Sequence, residues 1–269
     1  MKKTVFTIGL CCFFISSNAQ FDNKISDLGL KGKVSSVVER EYQLTNYDYN
    51  SKKEERKATF IFNQNGRKTE EKYTNPSGET LYLGVFKYAP SNELVEEKVN
   101  NFEYGKNFVK KFITSSKEIS VNIEVESEIP QLHEKYVLDS KKKLIQKVEY
   151  DNGEPVRTFK YSYSSDGKLQ SETQQMPDGS INFRYIYNNK GQLDRKTEVS
   201  ASGKVLHTQS YTYDKSGYVD TEVTSYTDDP QKLTLKYKYI LDSTGNWIEK
   251  QEFMDGNLFS VITREILYY

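Results

Sequence analysis

The chain has 269 residues, with 38 Lys and Arg against 38 Asp and Glu, 36% hydrophobic residues and 21 tyrosines. That balance gives no electrostatic reason to expect nucleic acid or an anionic lipid surface as a partner. The 2 cysteines are Cys11 and Cys12, both in the leader described next, so residues 20–269 can form neither a disulfide nor a thiolate metal site.

In chain order, Lys2 and Lys3, the apolar run "TVFTIGLCCFFI" and the small residues "SSNAQ" have the order of a secretory signal. Residues 1–19 are therefore predicted to be a signal peptide cut after Ala19, with residues 20–269 exported to the periplasm, the outer-membrane surface or the medium. The apolar run is about a dozen residues, short of the roughly 20 a helix needs to span a bilayer. Nothing later is apolar enough, so no transmembrane span is expected after signal removal. Leu10 before Cys11, and apolar residues continuing through Ile15, argue against a lipid-modified cysteine. Without Lys2 and Lys3 the basic count falls to 36 against 38 acidic residues, a net charge of about −2.

After the leader, one phrase repeats. It runs "FIFNQNGRK" from Phe60, "FKYAPSNEL" from Phe86, "KFITSSKEI" from Lys111, "YVLDSKKKL" from Tyr136, "YSYSSDGKL" from Tyr161, "YIYNNKGQL" from Tyr185, "YTYDKSGYV" from Tyr211 and "YILDSTGNW" from Tyr239. "LKGKV" from Leu30 fits the same phase. Gly66, Gly167, Gly191, Gly217 and Gly245 fall where a tight turn needs positive φ, Asn92 is the next best residue there, and Lys117 and Lys142 predict longer or distorted turns. Two residues after the turn glycine or its stand-in comes an apolar residue, such as Leu94, Leu169, Leu193, Val219 or Trp247, with Lys68 the exception. Second turns follow at Gly78, Gly153, Gly179, Gly203 and Gly256. Residues 43–57 read as a polar insertion, and residues 100–133 as a degenerate pair of units.

Between turns, apolar and polar residues alternate with period two, as in Phe159, Tyr161, Tyr163 and in Ile181, Phe183, Tyr185, Tyr187. That is the mark of strands with one buried face. The expected fold is all-β: an antiparallel meander of about nine tandem two-strand hairpin repeats, strongly twisted, partly curled and open, in one domain over residues 20–269.

The Tyr-x-Tyr-(Asp/Asn/Ser)-x-x-Gly-x-(Leu/Val) phrase at Tyr161, Tyr185 and Tyr211, with the "LKGKV" strand, resembles the YD-repeat family of Rhs and teneurin type, and short secreted Bacteroidota repeat proteins in particular. The resemblance spans about residues 28–269. It implies hairpin repeats wrapping into sheets or shells and a cell-envelope or extracellular setting. It supplies no catalytic residue. The repeats run to "REILYY", so no cargo domain of the toxin relatives is expected.

For chemistry, the chain offers His133 and His207 only, and no GxSxG, HExxH or P-loop motif. Asp228 and Asp229 before Pro230 lack the spacing of a calcium loop. Adjacent carboxylates such as Glu70 and Glu71, or Glu96 and Glu97, point to opposite faces of a strand and so do not converge. Tyr161, Tyr163, Tyr185, Tyr187, Tyr211 and Tyr213 are the candidate ligand contacts, because aromatic rings with polar tips suit sugars and peptides; as an inward ladder they are structural instead. The expected role is an exported, non-enzymatic envelope scaffold or binding module for a glycan or protein, with no metal and no cofactor. The alternative is a glycan-acting hydrolase using carboxylates from different repeats.

Overall fold

The computed structural model describes residues 24–125 and 131–269, so the predicted signal peptide lies outside the described residues. Among the described residues eighteen strands follow one another: β1 (Val34–Gln43), β2 (Lys53–Phe62), β3 (Lys68–Thr74), β4 (Thr80–Tyr88), β5 (Leu94–Asn101) and β6 (Lys106–Thr114). Next are β7 (Glu118–Val125), β8 (Gln131–Leu138), β9 (Leu144–Asp151), β10 (Glu154–Tyr163), β11 (Leu169–Met176) and β12 (Gly179–Tyr187). The last six are β13 (Leu193–Ser200), β14 (Val205–Tyr213), β15 (Val219–Tyr226), β16 (Asp229–Leu241), β17 (Trp247–Met254) and β18 (Asn257–Tyr268).

Every strand pairs antiparallel with its sequence neighbours, and β1 also pairs with β18 from Val34 opposite Tyr268 to Gln43 opposite Ser260. The expected open, partly curled meander is thereby corrected: the sheet closes into a barrel. Closure removes both edges, whose unpaired N–H and C=O groups would otherwise invite pairing with other chains.

Turns after even-numbered strands form one end of the barrel. In the turn from Ser164 to Lys168, the N–H of Gly167 donates to the Ser164 carbonyl at 2.9 Å, with Gly167 at φ +89°. Asn92 and Lys142 take the same conformation at φ +70° and +64°. The distortion expected at Lys142 is absent: Asp139 accepts from the Lys141 and Lys143 N–H groups at 2.8 Å, the Asx-type bonding also seen at Asn63, Asn188, Asp214 and Asp242. The expected polar insertion shrinks to residues 44–52, because Lys53 onward already pairs in β2. The degenerate stretch supplies the regular strands β6 and β7.

Strict period-two alternation fails at one recurrent place. Where β10 meets β11, Tyr163 faces Leu169 but Ser162 faces Ser171, so Gln170 is an extra residue in β11. The same one-residue shift recurs at Phe62, Tyr88, Leu138, Tyr187, Tyr213 and Leu241. Such a bulge re-aims every later side chain in its strand. Leu169 points in, and the next inward residues are Glu172 and Gln174; Ser171 and Thr173 face out, where they bond Ser162 and Asn182 across neighbouring strands.

The apolar core accordingly gathers toward the end with the tight turns. One cluster holds Phe86, Leu94, Phe112, Ile119, Val121, Tyr136 and Leu138. A second holds Leu30, Val34, Val37, Ala58, Phe60 and Phe62, over which Ile25 and Leu28 of a short 3-10 helix, Ile25–Leu28, are packed.

Candidate functional site in the barrel interior

The bulge places a recurrent charge inside the barrel, three residues after each strand's first inward residue. Lys68 is followed by Glu71, Leu94 by Glu97, Leu144 by Lys147, Leu169 by Glu172, Leu193 by Lys196, Val219 by Glu222 and Trp247 by Lys250. From Leu144 onward the sign alternates. Two strands depart from this: β1, where Val34 is followed by the buried Val37, and β7, in the hairpin that lacks the bulge, where Ile119 is followed by the buried Val121. Sequence reading overlooked this position because period two puts it on the outside; its recurrence at a fixed offset from the leucine is the signal that would have revealed it.

These charges are tied to one another and to tyrosines. Lys110 pairs with Glu97 at 3.1 Å, and Tyr82 donates to the same carboxylate at 3.0 Å. Lys147 bridges Glu134 and Glu149, each at 2.8 Å, and Tyr136 donates to Glu134 at 2.7 Å. Tyr185 donates to Glu172 at 3.1 Å. Lys68 is ion-paired with Glu71 and sits 4.8 Å from the Phe86 ring centre, a cation–π distance; its stem covers apolar surface, which is how a lysine substitutes for the apolar residue of the other units.

Burial alone would raise the Glu134 carboxyl, but the hydrogen bond and charge of Lys147, with the Tyr136 hydroxyl, hold it below the ordinary value. Glu222 goes the other way. Buried, with Gln209 and Tyr237 as neutral donors, its carboxyl is raised because desolvation outweighs those bonds.

Of the candidate tyrosines, Tyr161, Tyr163, Tyr185, Tyr187, Tyr211 and Tyr213 are all half-buried. Burial is the leading cause of the raised hydroxyl pKa of Tyr161, Tyr163, Tyr185 and Tyr187, with Tyr163 pushed up to about 12. The Tyr163 and Tyr213 hydroxyls donate to the Leu144 and Leu193 carbonyls, both at 2.7 Å. His133 is exposed, while His207 lies 3.2 Å from Glu198 and against the Tyr226 ring.

A cavity of about 280 Å³ opens inside the barrel between β3 and β8, lined by Lys68, Glu71, Phe86, Leu94, Glu97, Lys110, Phe112, Glu134 and Tyr136. Glu70 and Glu96 are on the outside, Glu96 paired with Lys111, so each adjacent carboxylate pair does split between faces as strand geometry requires. Glu71, Glu97 and Glu134 nonetheless meet in one cavity because they come from different hairpins. Among the described residues no cluster of His, Cys, Asp and Glu has the arrangement of a metal site, and no helix is long and apolar enough to cross a membrane.

No family model matches the chain, and no curated protein matches it. Solved structures do. A porin-like protein from Bacteroides uniformis aligns at 15% identity over 87% of this chain and 98% of that chain, with a TM-score of 0.49. A porin-like protein from Bacteroides vulgatus aligns at 13% identity over 89% and 99%, with a TM-score of 0.39. The Tc holotoxin pore of Photorhabdus luminescens aligns at 11% identity over 75% of this chain and 15% of that chain, with a TM-score of 0.25.

Proposed function

We propose that the chain is an exported, non-enzymatic barrel of the bacterial cell envelope, built from about nine two-strand units of the YD-repeat type and acting as a scaffold or as a binding module for a glycan or protein. One observation carries this reading: the carboxylates of the cavity between β3 and β8 have their charges balanced by lysines. Glu71, Glu97 and Glu134 are each ion-paired with a lysine. General acid catalysis needs a carboxyl held protonated near neutral pH, and Glu134 is shifted in the opposite direction. What remains is a polar, aromatic-walled cavity suited to holding a ligand.

The outer wall bears on location. A membrane-spanning barrel presents an outward apolar band about 25 Å tall. Here Lys98, Lys160, Arg184, Lys236 and Lys238 are exposed within strands, which supports a shell standing in water, either periplasmic or extracellular. Residues 20–269 purified without detergent should be monodisperse and, as a binding module, bind members of a glycan or peptide array; a requirement for detergent contradicts the reading, and silence on both arrays removes the binding module and leaves the scaffold.

The convergence of Glu71, Glu97 and Glu134 favours a second reading, a glycan-acting hydrolase. Turnover of chromogenic glycosides, abolished by Glu97→Gln, would establish it in place of the first.

A further inference from the structure

We infer that the cavity between β3 and β8 takes a single neutral sugar residue, the tip of a glycan or a free monosaccharide. This rests on the binding-module reading and specifies its site. Three features of the lining select that ligand class.

The first is unspent hydrogen-bonding capacity of both kinds. A carboxylate accepts at about four lone-pair positions and an ammonium carries three donors. Glu97 accepts from Tyr82 and Lys110, and Lys110 pairs with Glu97, which leaves acceptors and donors side by side. A sugar hydroxyl uses both at once, donating to the carboxylate while accepting from the ammonium. The second is charge. Glu71, Glu97 and Glu134 would repel an anion, whereas Lys68 and Lys110, backed by Lys147, would repel a cation. A neutral polyol meets neither penalty. The third is the wall: Phe86, Phe112 and Tyr136 line the cavity with aromatic carbon, the kind of surface against which the C–H groups of a pyranose pack, while Lys68 over Phe86 and Lys147 over Tyr136 keep donors beside it. At about 280 Å³ the cavity lies just below the ~300–1,000 Å³ range of drug-sized sites, which suits one sugar ring and excludes a polymer segment. Lys110, with its side chain 28% exposed, connects the site to solvent.

The test is calorimetric titration of residues 20–269 with glucose, galactose, mannose and N-acetylglucosamine, alongside glucosamine and glucuronate as charged controls. At least one neutral sugar should saturate the protein, and both charged controls should bind at least tenfold more weakly than it does. Glu97→Gln and Lys110→Met should each weaken binding at least tenfold, while Glu222→Gln, on the distant strand β15, should leave it within twofold. Lys110→Met leaves Glu97 its Tyr82 bond and is the second variant if Glu97→Gln proves unstable, with circular dichroism and a thermal melt of each variant separating loss of the site from loss of the fold. Absence of saturation by any neutral sugar overturns the inference, as does equal or tighter binding of a charged control. So does sugar binding that both cavity variants leave intact, and in that case the binding-module reading survives with its site elsewhere. Silence on glycan and peptide arrays as well would remove that reading too.

Discussion

Tyrosine hydroxyls near the tight turns have two kinds of partner. The first kind reaches the interior charges, as Tyr185 does to Glu172. The second clasps the start of the preceding odd-numbered strand, as in Tyr88 to the Lys68 carbonyl, Tyr163 to Leu144 and Tyr213 to Leu193, each at 2.7 Å. A bulge sits at that place and breaks the ladder, so a side-chain hydroxyl takes up the leucine carbonyl. Tyr213→Phe keeps the ring and removes that bond, with an expected cost of about 0.5–1.5 kcal/mol in urea melts; Tyr185→Phe, whose partner is a carboxylate, should cost about 1.5–3 kcal/mol. Equal, negligible effects would refute the division of roles.

The interior carboxylates also give opposite pH responses. Glu222 has a raised pKa in the folded state, so the fold binds its proton more tightly than the unfolded chain does and is relieved as pH falls through the folded value toward the unfolded one. Glu134 has a lowered pKa, and its contribution is present above the unfolded value and lost as pH falls through the folded one. Thermal melts from neutral to acid pH should therefore show Glu222→Gln stabilised relative to the parent at neutral pH, with the gap closing on acidification. Destabilisation by Glu222→Gln at neutral pH, with the gap widening in acid, would contradict this.

At the scale of the element, turns and strand order were legible in the sequence because each has a local chemical cause. Glycine at the left-handed position and an Asx or serine acceptor four residues before the turn's end recur visibly. Gly191 has φ +81°, and an added Cβ would meet only the flexible Lys168 side chain at 3.3 Å. Gly191→Val should thus act through backbone strain, costing about 1–3 kcal/mol in a denaturant melt; stability within a few tenths of the parent would show that the turn tolerates a branched residue. The bulge was not legible. A single extra residue leaves the turn motif and the leucine untouched, yet it reverses which of Ser171 and Glu172 faces inward. With it went the charged interior: period-two reasoning assigned tyrosines to the inner face and missed the Glu and Lys positions that line the same space. The cavity was not legible either, since Glu71, Glu97 and Glu134 are brought together by curvature and not by spacing in the chain.

At the scale of the molecule, closure follows the rule that joins consecutive units. The residue after the left-handed turn position can reach the next turn: Lys143, after Lys142, to the Gly167 carbonyl at 3.1 Å and Tyr218, after Gly217, to that of Gly245 at 2.7 Å. Asn246 holds this position in the final turn, and its next neighbour is the first unit. It accepts from the Lys31 N–H at 2.7 Å, donates to the Lys31 carbonyl at 2.9 Å and donates to the Tyr268 hydroxyl at 2.8 Å, while fully buried. Beside it Arg264 lies 3.5 Å from the Trp247 ring centre and bonds Glu39 at 2.9 Å. Asn246→Ala should lower the melting temperature, at about 1–3 kcal/mol for each Lys31 backbone group left without a partner; an unchanged melting temperature would mean that this contact does not hold the seam.

Closure is the claim on which the interior, its cavity and its charges all depend. Native-state hydrogen exchange of the β1 and β18 amides tests it most directly. In a closed barrel both strands are paired on both sides, so consecutive amides from Val37 to Glu41 and from Ser260 to Thr263 should be protected like those of interior strands such as β12. In an open meander β1 and β18 are edges, and every second amide along each would exchange as fast as an exposed loop; that alternation would contradict the barrel.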